Sequence, residues 1–515
     1  MRYNGAKNRF LLYPSTPDLH LGQFDCDCAC DLGLPMMVQS KSASVSWDCD
    51  CACAAELPHV PARQPVASRW IRERQAVSMP VGGGWQACFN PSGPVGVAAL
   101  NAEAGQVLAA FDSPVTFRGA VARLVGMSPA TALEAARELV EIGLLRPVQD
   151  KVILSVGAQR AGSSTLSAWL QVAEACNLRC PYCYVQKKPQ AMSWDVGRKT
   201  VDRLAEMANR YGYHSLKLKY AGGEPTLNFS LIEALHGYAE QEIAHAGISL
   251  EEVLLTNGVG VTDAMLDFIS GAGMRLMVSL DGGPETHDRV RARPDGQSTY
   301  AAVTSTVKRA MERRLRPNIS ITVTSLNLDG VGEAVAFALE QALPFNVNFY
   351  RECAPDQGQQ ARSPLVPRLA QLQETMRGIV AIIQAHPAYP LPLTAILDRT
   401  RLDVPHSYAC SAGRDYLVVG PAGQVSACQM LMGEPWATLT HGDPLYAVRQ
   451  RGEDLFKTVD DDPECGRCAW RSACSGGCPL LRNSVLHKDY CQVYRAVFPE
   501  LVRLEAKRLI GQAGA

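Results

Sequence analysis

Short apolar segments alternate with helical segments between residues 165 and 350, and this alternation constrains the fold more than any other feature of the chain. The apolar segments are SLKLKYAGG, EEVLLTNG, MRLMVSLDG, NISITVTS and FNVNFY, and the helical ones include SWDVGRKTVDRLAEMANRYG and STYAAVTSTVKRAMERRL. Repeated β-α units of this length predict a parallel sheet or barrel covered by helices. Active-site residues of such folds lie at the carboxyl ends of the strands. An α/β fold with its site at one end of the sheet is therefore expected.

Cysteine is the second constraint, because the chain has 18 of them in clusters. Six lie in two DCDCAC repeats, three in CNLRCPYC and seven between residues 410 and 491, while Cys88 and Cys353 stand alone. The segment MRYNGAKNRFLLYPSTPDLH lacks the apolar core of a signal peptide, and no stretch approaches the roughly 18 apolar residues of a membrane span. A cytoplasmic protein without membrane contact is expected. Its thiols would stay reduced, and clustered reduced thiols usually bind iron–sulfur clusters or zinc.

The motif of Cys176, Cys180 and Cys183 is the strongest local signal. Three thiolates cannot complete a tetrahedral zinc site alone, but they can hold three irons of a [4Fe–4S] cluster and leave the fourth iron open. With Tyr182 before the last cysteine, the motif resembles the signature of the radical S-adenosylmethionine (SAM) enzymes. The resemblance implies that SAM chelates the open iron and is cleaved reductively to a 5′-deoxyadenosyl radical, which abstracts a substrate hydrogen. A zinc knuckle is the alternative for the motif taken alone.

The next strand end matches the same family. SLKLKYAGGEP ends in four residues that resemble the motif at the amino group of SAM, namely Gly222, Gly223, Glu224 and Pro225. Glycines let the backbone approach a ligand, and the carbonyl groups together with Glu224 offer acceptors to an ammonium group. The resemblance thus implies a partial (β/α)6 barrel of the TIM type over residues 165–355, with SAM bound at its mouth.

Softer candidates follow at the next two strand ends, LLTNG and SLDG. In relatives this region contacts the ribose and carboxylate of SAM, so the resemblance implies that Asn257, Ser279 and Asp281 bind the cofactor. The segment HDRVRAR supplies Arg291 and Arg293, and either could neutralise the SAM carboxylate. For the arginines alone, a solvated helix face is an equal alternative.

The seven C-terminal cysteines form a second constellation, whose spacing resembles the SPASM extension of radical SAM enzymes that modify peptides. The resemblance implies two auxiliary [4Fe–4S] clusters. The ligands of one would be Cys465, Cys468, Cys474 and Cys491. The ligands of the other would be Cys410, Cys428 and Cys478.

Two departures from that pattern bear on the reaction. RLDVPHSYAC holds no further cysteine before Cys410, so the second set lacks a fourth ligand and leaves an iron open to a substrate thiolate. Cys353 or His406 could instead close the site. In sulfatase-maturing members an Asp follows the cysteine of the Gx4C element, whereas this chain has Gln429, which is a poor proton acceptor. Formylglycine formation is accordingly disfavoured.

Residues 82–155 combine a strand pair, WQACFNPSGPVGVAAL, with three short amphipathic helices, and the last helix is entered by Ser128-Pro129. This pattern predicts a winged-helix-like module. Residues 82–150 carry four Arg, no Lys and six Asp or Glu, a net charge of −2, and this is a poor footprint for nucleic acid. Peptide binding by strand addition or groove docking fits better. Peptide-crosslinking maturases often carry such an element for a leader peptide.

The predicted organisation therefore has six parts. Residues 1–80 form an irregular segment with the cysteine repeats, 82–155 the peptide-recognition domain, 165–355 the barrel, 356–402 a helical linker, 403–500 the SPASM domain and 501–515 a C-terminal helix. The implied function is maturation of a ribosomally made peptide, with thioether formation favoured over carbon–carbon or carbon–oxygen crosslinking and over formylglycine formation. An iron–sulfur regulator with a winged-helix domain is the non-enzymatic alternative.

The expected partners are a precursor peptide, bound through its leader, and an external electron donor of the flavodoxin or ferredoxin type. The DCDCAC repeats, at Asp25–Cys30 and Asp48–Cys53, are not needed for the three predicted clusters. They could be a variable solvated tail, a fourth metal site, or a tethered substrate or its relic.

Overall fold

The structure is a computed structural model that describes residues 11–12, 69–91, 93–148, 164–352, 363–403, 405–453, 455–482 and 484–514. The DCDCAC repeats and Cys353 lie outside these residues, as do residues 1–10 and 13–68 of the segment 1–80 that is predicted to be irregular. Within the described ranges, no helix is both long enough and apolar enough to pass through a bilayer.

An N-terminal module comes first. Its strands are β1 (Leu11–Leu12), β2 (Trp70–Arg72), β3 (Val77–Gly82), β4 (Trp85–Phe89), β5 (Val97–Leu100) and β6 (Leu145–Pro147). Its helices are α1 (Ala102–Ala109), α2 (Phe117–Val121) and α3 (Pro129–Glu141). Four strands form an antiparallel sheet in the order β1-β5-β4-β3, and β2 pairs with β6. The predicted strand pair and three helices are present, and Ser128 caps α3 by accepting a hydrogen bond from the Thr131 amide.

Alternate residues of the N-terminal sheet face two different cores, as the period of two in a strand requires. Ala87 and Phe89 belong to the large core shared with the rest of the protein, whereas Cys88 lies in a smaller core with α1 and α3. Phe89 stacks on Trp470 with ring centroids 4.9 Å apart. The Gly96 amide donates to the Asp403 carbonyl over 2.9 Å. The module is thus packed directly against the cysteine-rich part of the chain.

The central sheet contains the six strands of the β-α repeat. They are β7 (Thr165–Ala173), β8 (Ser215–Gly222), β9 (Ser249–Thr256), β10 (Arg275–Ser279), β11 (Asn318–Val323) and β12 (Phe345–Phe349). All five pairings between neighbours are parallel and follow chain order. This confirms the predicted parallel α/β sheet and is consistent with a partial barrel. β7 is the one strand of the six that the sequence analysis did not single out, and all nine of its residues are buried.

Helices cover this sheet, as predicted. They are α4 (Trp194–Tyr211), α5 (Phe229–His245), α6 (Asp263–Gly271), α7 (Pro284–Val290), α8 (Tyr300–Glu312), α9 (Val331–Glu340) and α10 (Leu369–Gln384). Ser193 caps the start of α4, and Gly212 ends it in the left-handed conformation with φ of 73°. Within the predicted linker 356–402, α10 is helical, and residues 385–402 form no helix.

The C-terminal part is less irregular than its sequence suggests. Its elements are β13 (Tyr416–Val419), β14 (Gln424–Ser426), β15 (Ala437–Thr438), α11 (Pro444–Gly452), α12 (Arg471–Cys474) and α13 (Val485–Gly514). β13 pairs in parallel with β7, so the central sheet continues into the cysteine-rich region and reaches nine strands. α13 is 30 residues long, so the helix at the C-terminus begins well before residue 501, where the sequence predicted its start. The helix packs against β3, β4 and β5 and carries Cys491.

Candidate active site

A cavity of about 220 Å³ lies at the carboxyl ends of the six parallel strands. Ten of the predicted site residues line it: Cys176, Cys180, Tyr182, Cys183, Gly222, Gly223, Glu224, Asn257, Ser279 and Arg291. Two others stand directly behind its wall. Pro225 begins a short 3-10 helix after Glu224, and Asp281 is fully buried against Arg291. The structure therefore brings the candidate SAM residues together at the end of the sheet where parallel folds place active sites.

The three thiols of the CxxxCxxC motif share one edge of this cavity. The pKa of the Cys180 thiol is raised to about 11, chiefly by burial; Arg291 opposes the rise, and the neighbouring thiols Cys183 and Cys176 contribute to it. The Lys187 ammonium lies 2.6 Å from the Cys183 sulfur. Closely spaced, half-buried thiolates repel one another unless a cation stabilises them.

This donor set fits an iron–sulfur cluster, because soft thiolates are the ligands that iron–sulfur clusters take and an open cavity lies beside them. Across the described ranges, no group of three or more His, Cys, Asp or Glu side chains has the arrangement that binds a single metal ion. Cys176, Cys180 and Cys183 would hold the cluster, and the adjoining cavity would receive SAM.

Gly222 and Gly223 are required by a close approach of two backbone segments. A Cβ at Gly222, where φ is +145°, would lie 2.0 Å from the Ala173 carbonyl oxygen. A Cβ at Gly223 would lie 2.3 Å from the Ala175 carbonyl oxygen. Both amides after the strand are used here as well, since Gly223 donates to Ala173 and Glu224 donates to Ala175. The glycines thus clamp the strand end onto the segment that leads into Cys176.

We expect Gly223→Ala to weaken SAM binding by about tenfold or more, which corresponds to about 1.4 kcal/mol. The added methyl group would displace the backbone at Ala175 and with it the first cluster cysteine. Gly237→Ala in α5 is the matched control, because its Cβ would meet nothing within 4 Å. Equilibrium SAM binding to the reconstituted proteins measures the effect. Equal affinities of the two variants would show that the close approach is dispensable.

Glu224 ties this clamp to the next strand. Its carboxylate is fully buried and accepts hydrogen bonds from the Thr226 hydroxyl (2.7 Å), the Thr256 hydroxyl (2.7 Å) and the Asn257 amide (2.8 Å). Burial raises the pKa of Glu224 above its ordinary value, and these hydrogen bonds oppose the rise. Because the protein supplies its donors, the described contacts of Glu224 are those of a positioning residue that fixes the ends of β8 and β9.

Asn257 connects β9 to the cluster loop. Its side-chain amide donates to the Asn177 oxygen over 2.7 Å and lies 3.8 Å from the Cys176 sulfur. Asn177 in turn donates to the Val259 carbonyl over 2.9 Å. The two asparagines therefore hold the loop of the first cysteine against the end of β9.

Arg291 and Asp281 form a buried ion pair behind the cavity, with Arg291 Nε 2.6 Å from the Asp281 carboxylate. The Tyr182 hydroxyl donates to the same carboxylate, and the guanidinium lies over the Tyr182 ring. Burial works against the charged form of Arg291, but Asp281 raises its pKa well above the ordinary value. Arg293 is instead partly exposed and pairs with Asp295 over 3.2 Å. Of the two predicted arginines, Arg291 is the one at the cavity.

A second pocket is lined by the cysteines that the resemblance assigned to one auxiliary cluster, Cys410, Cys428 and Cys478. Burial raises the pKa of Cys428 to about 12, Arg399 opposes this, and Cys478 and Cys410 add to it. His406 is buried but does not line the pocket.

The remaining four cysteines interact in the same way. Burial raises the pKa of Cys474 to about 12, and the charges of Cys465, Cys468 and Cys491 contribute. The seven thiols thus form two groups of neighbours in space, and their assignment to two clusters stays a prediction.

The wall between the cavity and the second pocket holds Gln429, which the sequence predicted only to be a poor proton acceptor, and other residues that carry no sequence motif. Arg351, Arg399, Gln429 and Met430 line both spaces. Lys219 is 98% buried on β8, lines the pocket and lies over the Tyr416 ring. The two lysines in the otherwise apolar strand SLKLKY were the available signal, because a buried lysine needs a specific partner. For Arg351 and Arg399 the sequence offers no comparable pattern.

A groove of about 450 Å³ adjoins the cavity and shares Tyr184, Val185, Gln429 and Met430 with it. Its lining is rich in side-chain amides, supplied by Gln171, Gln186, Gln190, Gln424 and Gln429. Amide groups both donate and accept hydrogen bonds, as peptide groups do. The groove is thus chemically suited to the backbone of an extended peptide.

Comparison with known proteins identifies the class. Residues 170–337 match the radical SAM superfamily. This part of the chain is a radical SAM domain, and most of the residues that line the cavity described above belong to it. The solved structure of native anSMEcpe with bound AdoMet has the same fold, with a TM-score of 0.55 at 19% identity over 66% of this chain and 99% of that one.

Two sequence relatives narrow the comparison. The serine-type anaerobic sulfatase-maturating enzyme of Klebsiella aerogenes is 23% identical over 64% of this chain and 84% of its own length. The PqqA peptide cyclase of Rhodopseudomonas palustris is 22% identical over 61% of this chain and 81% of its own length. The chain spans 57% of the length of a further relative, an uncharacterized protein of Methanocaldococcus jannaschii.

Proposed function

We propose that this protein is a radical SAM maturase with a SPASM domain, and that it installs a crosslink in a ribosomally synthesised peptide. The observation that carries the proposal is the common wall between two thiol-lined spaces. One space holds the CxxxCxxC thiols, the other holds three further thiols, and an amide-lined groove opens at the same wall. Relatives named as a sulfatase-maturating enzyme and as a peptide cyclase support a peptide substrate.

The chemistry of the bound groups can be stated briefly. When bound, the clusters and SAM would supply a 5′-deoxyadenosyl radical, which removes one hydrogen atom, and an acceptor for one further electron. For a thioether, a substrate C–H bond and a cysteine S–H bond break and a C–S bond forms. The hydrogen atom leaves in 5′-deoxyadenosine, the thiol proton is released to water, and the remaining electron goes to that acceptor. An external donor of the flavodoxin or ferredoxin type would provide the electron that cleaves SAM.

The residues of the chain would position SAM and exclude water from the site. Glu224 and Asn257 fix the strand ends on which SAM would lie, and the pair of Asp281 and Arg291 keeps a buried positive charge beside it. The wall between the two thiol-lined spaces would keep water away from a reactive radical. Gln429 stands on the wall where the two spaces meet, and its amide lies 3.6 Å from the Cys428 sulfur.

Thioether formation is the favoured bond for two reasons. The second pocket is lined by three thiols, those of Cys410, Cys428 and Cys478. A cluster bound by these three would keep one iron open to a substrate thiolate. An amide at Gln429 cannot act as the general base that an Asp would be. Carbon–carbon or carbon–oxygen crosslinking is the second candidate, supported by the likeness to a peptide cyclase. Formylglycine formation, supported by the likeness to a sulfatase-maturating enzyme, ranks third.

The N-terminal module would receive the leader of the peptide. Its sheet is packed on α13, which carries Cys491, and on Trp470, which lies between Cys468 and Cys474. A leader docked there would sit at a fixed distance from the cysteine-rich region and so present the core segment to the groove. The acidic balance of the module favours a peptide over nucleic acid.

We expect coexpression with a small open reading frame encoded beside this gene to yield a peptide that has lost two hydrogen atoms per crosslink and kept all of its sulfur. Intact-mass and fragment-mass spectrometry of the purified peptide measures this. Cys410→Ser should yield less crosslinked peptide, because the substitution removes one of the three thiols that line the second pocket. Loss of sulfur from a cysteine, or loss of two hydrogen atoms confined to a single serine, would instead establish formylglycine formation, and an unchanged mass would contradict the proposal.

A further inference from the structure

The strand β1 closes the open edge of the N-terminal sheet. Without it, β5 would be the edge strand, because β5 pairs with β4 on its other side. β1 adds to that edge in antiparallel register, with Leu11 opposite Leu100 and Leu12 opposite Ala99. The chain thus places a segment from its first twelve residues on the sheet of a module whose next strand, β2, begins at Trp70.

The edge that β1 covers is suited to bind an extended peptide through its backbone groups. All four residues of β5 are buried, and unpaired backbone groups at a buried edge carry a free-energy cost. An added strand satisfies these groups through main-chain hydrogen bonds, which is how many domains bind extended peptides. A leader peptide of the proposed substrate would bind at this edge, and here the chain's own segment fills it.

The sequence after β1 has the order that a substrate would have. Thirteen residues separate Leu12 from Cys26, a reach of about 45 Å when extended, and both DCDCAC repeats lie between β1 and β2. A docked strand, a spacer and a cysteine-bearing core therefore follow one another along the chain. Tethering would hold the cysteines near the site at an effective concentration on the order of millimolar.

We propose that β1 is a leader strand docked in cis, and that the cysteines of the two repeats, residues 26–30 and 49–53, are a substrate of the same polypeptide. The inference rests on the proposed function, since the reaction is the same crosslinking with the same balance of hydrogen atom, proton and electron. It assigns a role to six of the eight cysteines that the three predicted clusters do not use.

The experiment uses the full chain, reconstituted anaerobically with iron and sulfide and supplied with dithionite and SAM. Proteolysis and mass spectrometry of residues 20–60 should show the loss of two hydrogen atoms per crosslink, with sulfur retained. Leu12→Pro removes a backbone N–H from β1 and should reduce the crosslinked fraction at least tenfold. Thr16→Pro is the matched control, because it places the same residue type beyond the strand, and it should retain crosslinking.

Two further measurements separate docking from other causes. Hydrogen–deuterium exchange should show that Leu12→Pro exposes the amides of β5 while the central sheet stays protected, which excludes general unfolding. The apparent first-order rate constant of crosslinking should be independent of protein concentration. A rate constant that rises in proportion to protein concentration would contradict docking in cis.

The failure of this inference is distinguishable from failure of the proposed function. If 5′-deoxyadenosine forms and an added peptide is crosslinked while residues 20–60 keep all their hydrogens, the inference is wrong and the proposed function stands. If the assembled enzyme crosslinks neither segment, both are wrong. Equal crosslinking in Leu12→Pro and the wild type would also overturn the inference.

Discussion

Replacement of Cys180 by serine is expected to lower the formation of 5′-deoxyadenosine by more than about a thousandfold, because two thiols cannot hold the cluster that three hold. Cys180 lines the cavity beside Cys176 and Cys183, and its thiol is mostly buried. The reconstituted variant should also lose about one third of its iron, which is the share of one cluster in three. Product formation is measured by chromatography after reduction in the presence of SAM.

Cys88→Ala is the matched control for this prediction. Cys88 is buried in the core of the N-terminal module, and its sulfur lies 3.2 Å from the Ser78 hydroxyl, away from the cavity. The control should keep its iron and its product formation. Full activity of Cys180→Ser would exclude the CxxxCxxC motif as the cluster site.

Replacement of Asp281 by alanine is expected to destabilise the fold by about 3–5 kcal/mol, since it leaves the buried Arg291 charge without its partner. Asp281 is fully buried, and it also accepts from Tyr182 and from the Thr322 amide. The same change should abolish SAM binding, because Arg291 and Tyr182 line the cavity. Urea denaturation gives the free energy of unfolding, and equilibrium titration gives the affinity for SAM.

A second ion pair, between Arg293 and Asp295, supplies the control, and its arginine lies two residues after Arg291. Asp295→Ala breaks the exposed pair with Arg293 and should cost less than about 1 kcal/mol. The double variant Asp281→Ala/Arg291→Met removes both buried charges and should recover part of the lost stability, even where Asp281→Ala alone folds poorly. Equal losses for the buried and the exposed pair would show that burial does not set the role of Asp281.

The sequence predicts the central sheet well because its strands are buried on both faces and follow one another in a simple β-α order. The five apolar segments all became strands, and the motif residues at their ends converged on one cavity. β7 was overlooked because TLSAWLQVA mixes polar and apolar residues, and only the fold reveals that all of them are buried. The adjacent glycines Gly222 and Gly223 predicted a close approach of the backbone to a ligand, whereas the structure shows a close approach to the backbone of Ala173 and Ala175.

Other features could not be predicted because they depend on contacts between distant segments. β13 is four residues long, and it joins the central sheet only because β7 offers it an edge. α13 contains Pro499 and lacks a strong apolar periodicity, so the sequence suggested a short helix, whereas packing against the N-terminal sheet supports 30 residues. The cationic side chains of Arg351 and Arg399 reach the wall from segments without any motif.

The division into six domains and the assignment of individual residues to SAM stay predictions. The structure adds a spatial frame to them, in which the N-terminal module, the cysteine-rich region and the barrel share one continuous core. This frame is compatible with the proposal that one chain docks a peptide, holds three clusters and shields a radical.

The measurement that tests the account most directly is the coupled assay of the reconstituted enzyme with SAM, dithionite and a peptide that bears cysteine. The account predicts that 5′-deoxyadenosine appears together with peptide that has lost two hydrogen atoms per crosslink, and that both products vanish together in Cys180→Ser. Fully assembled enzyme that forms no 5′-deoxyadenosine, or that forms it while every peptide mass stays unchanged, would contradict the account.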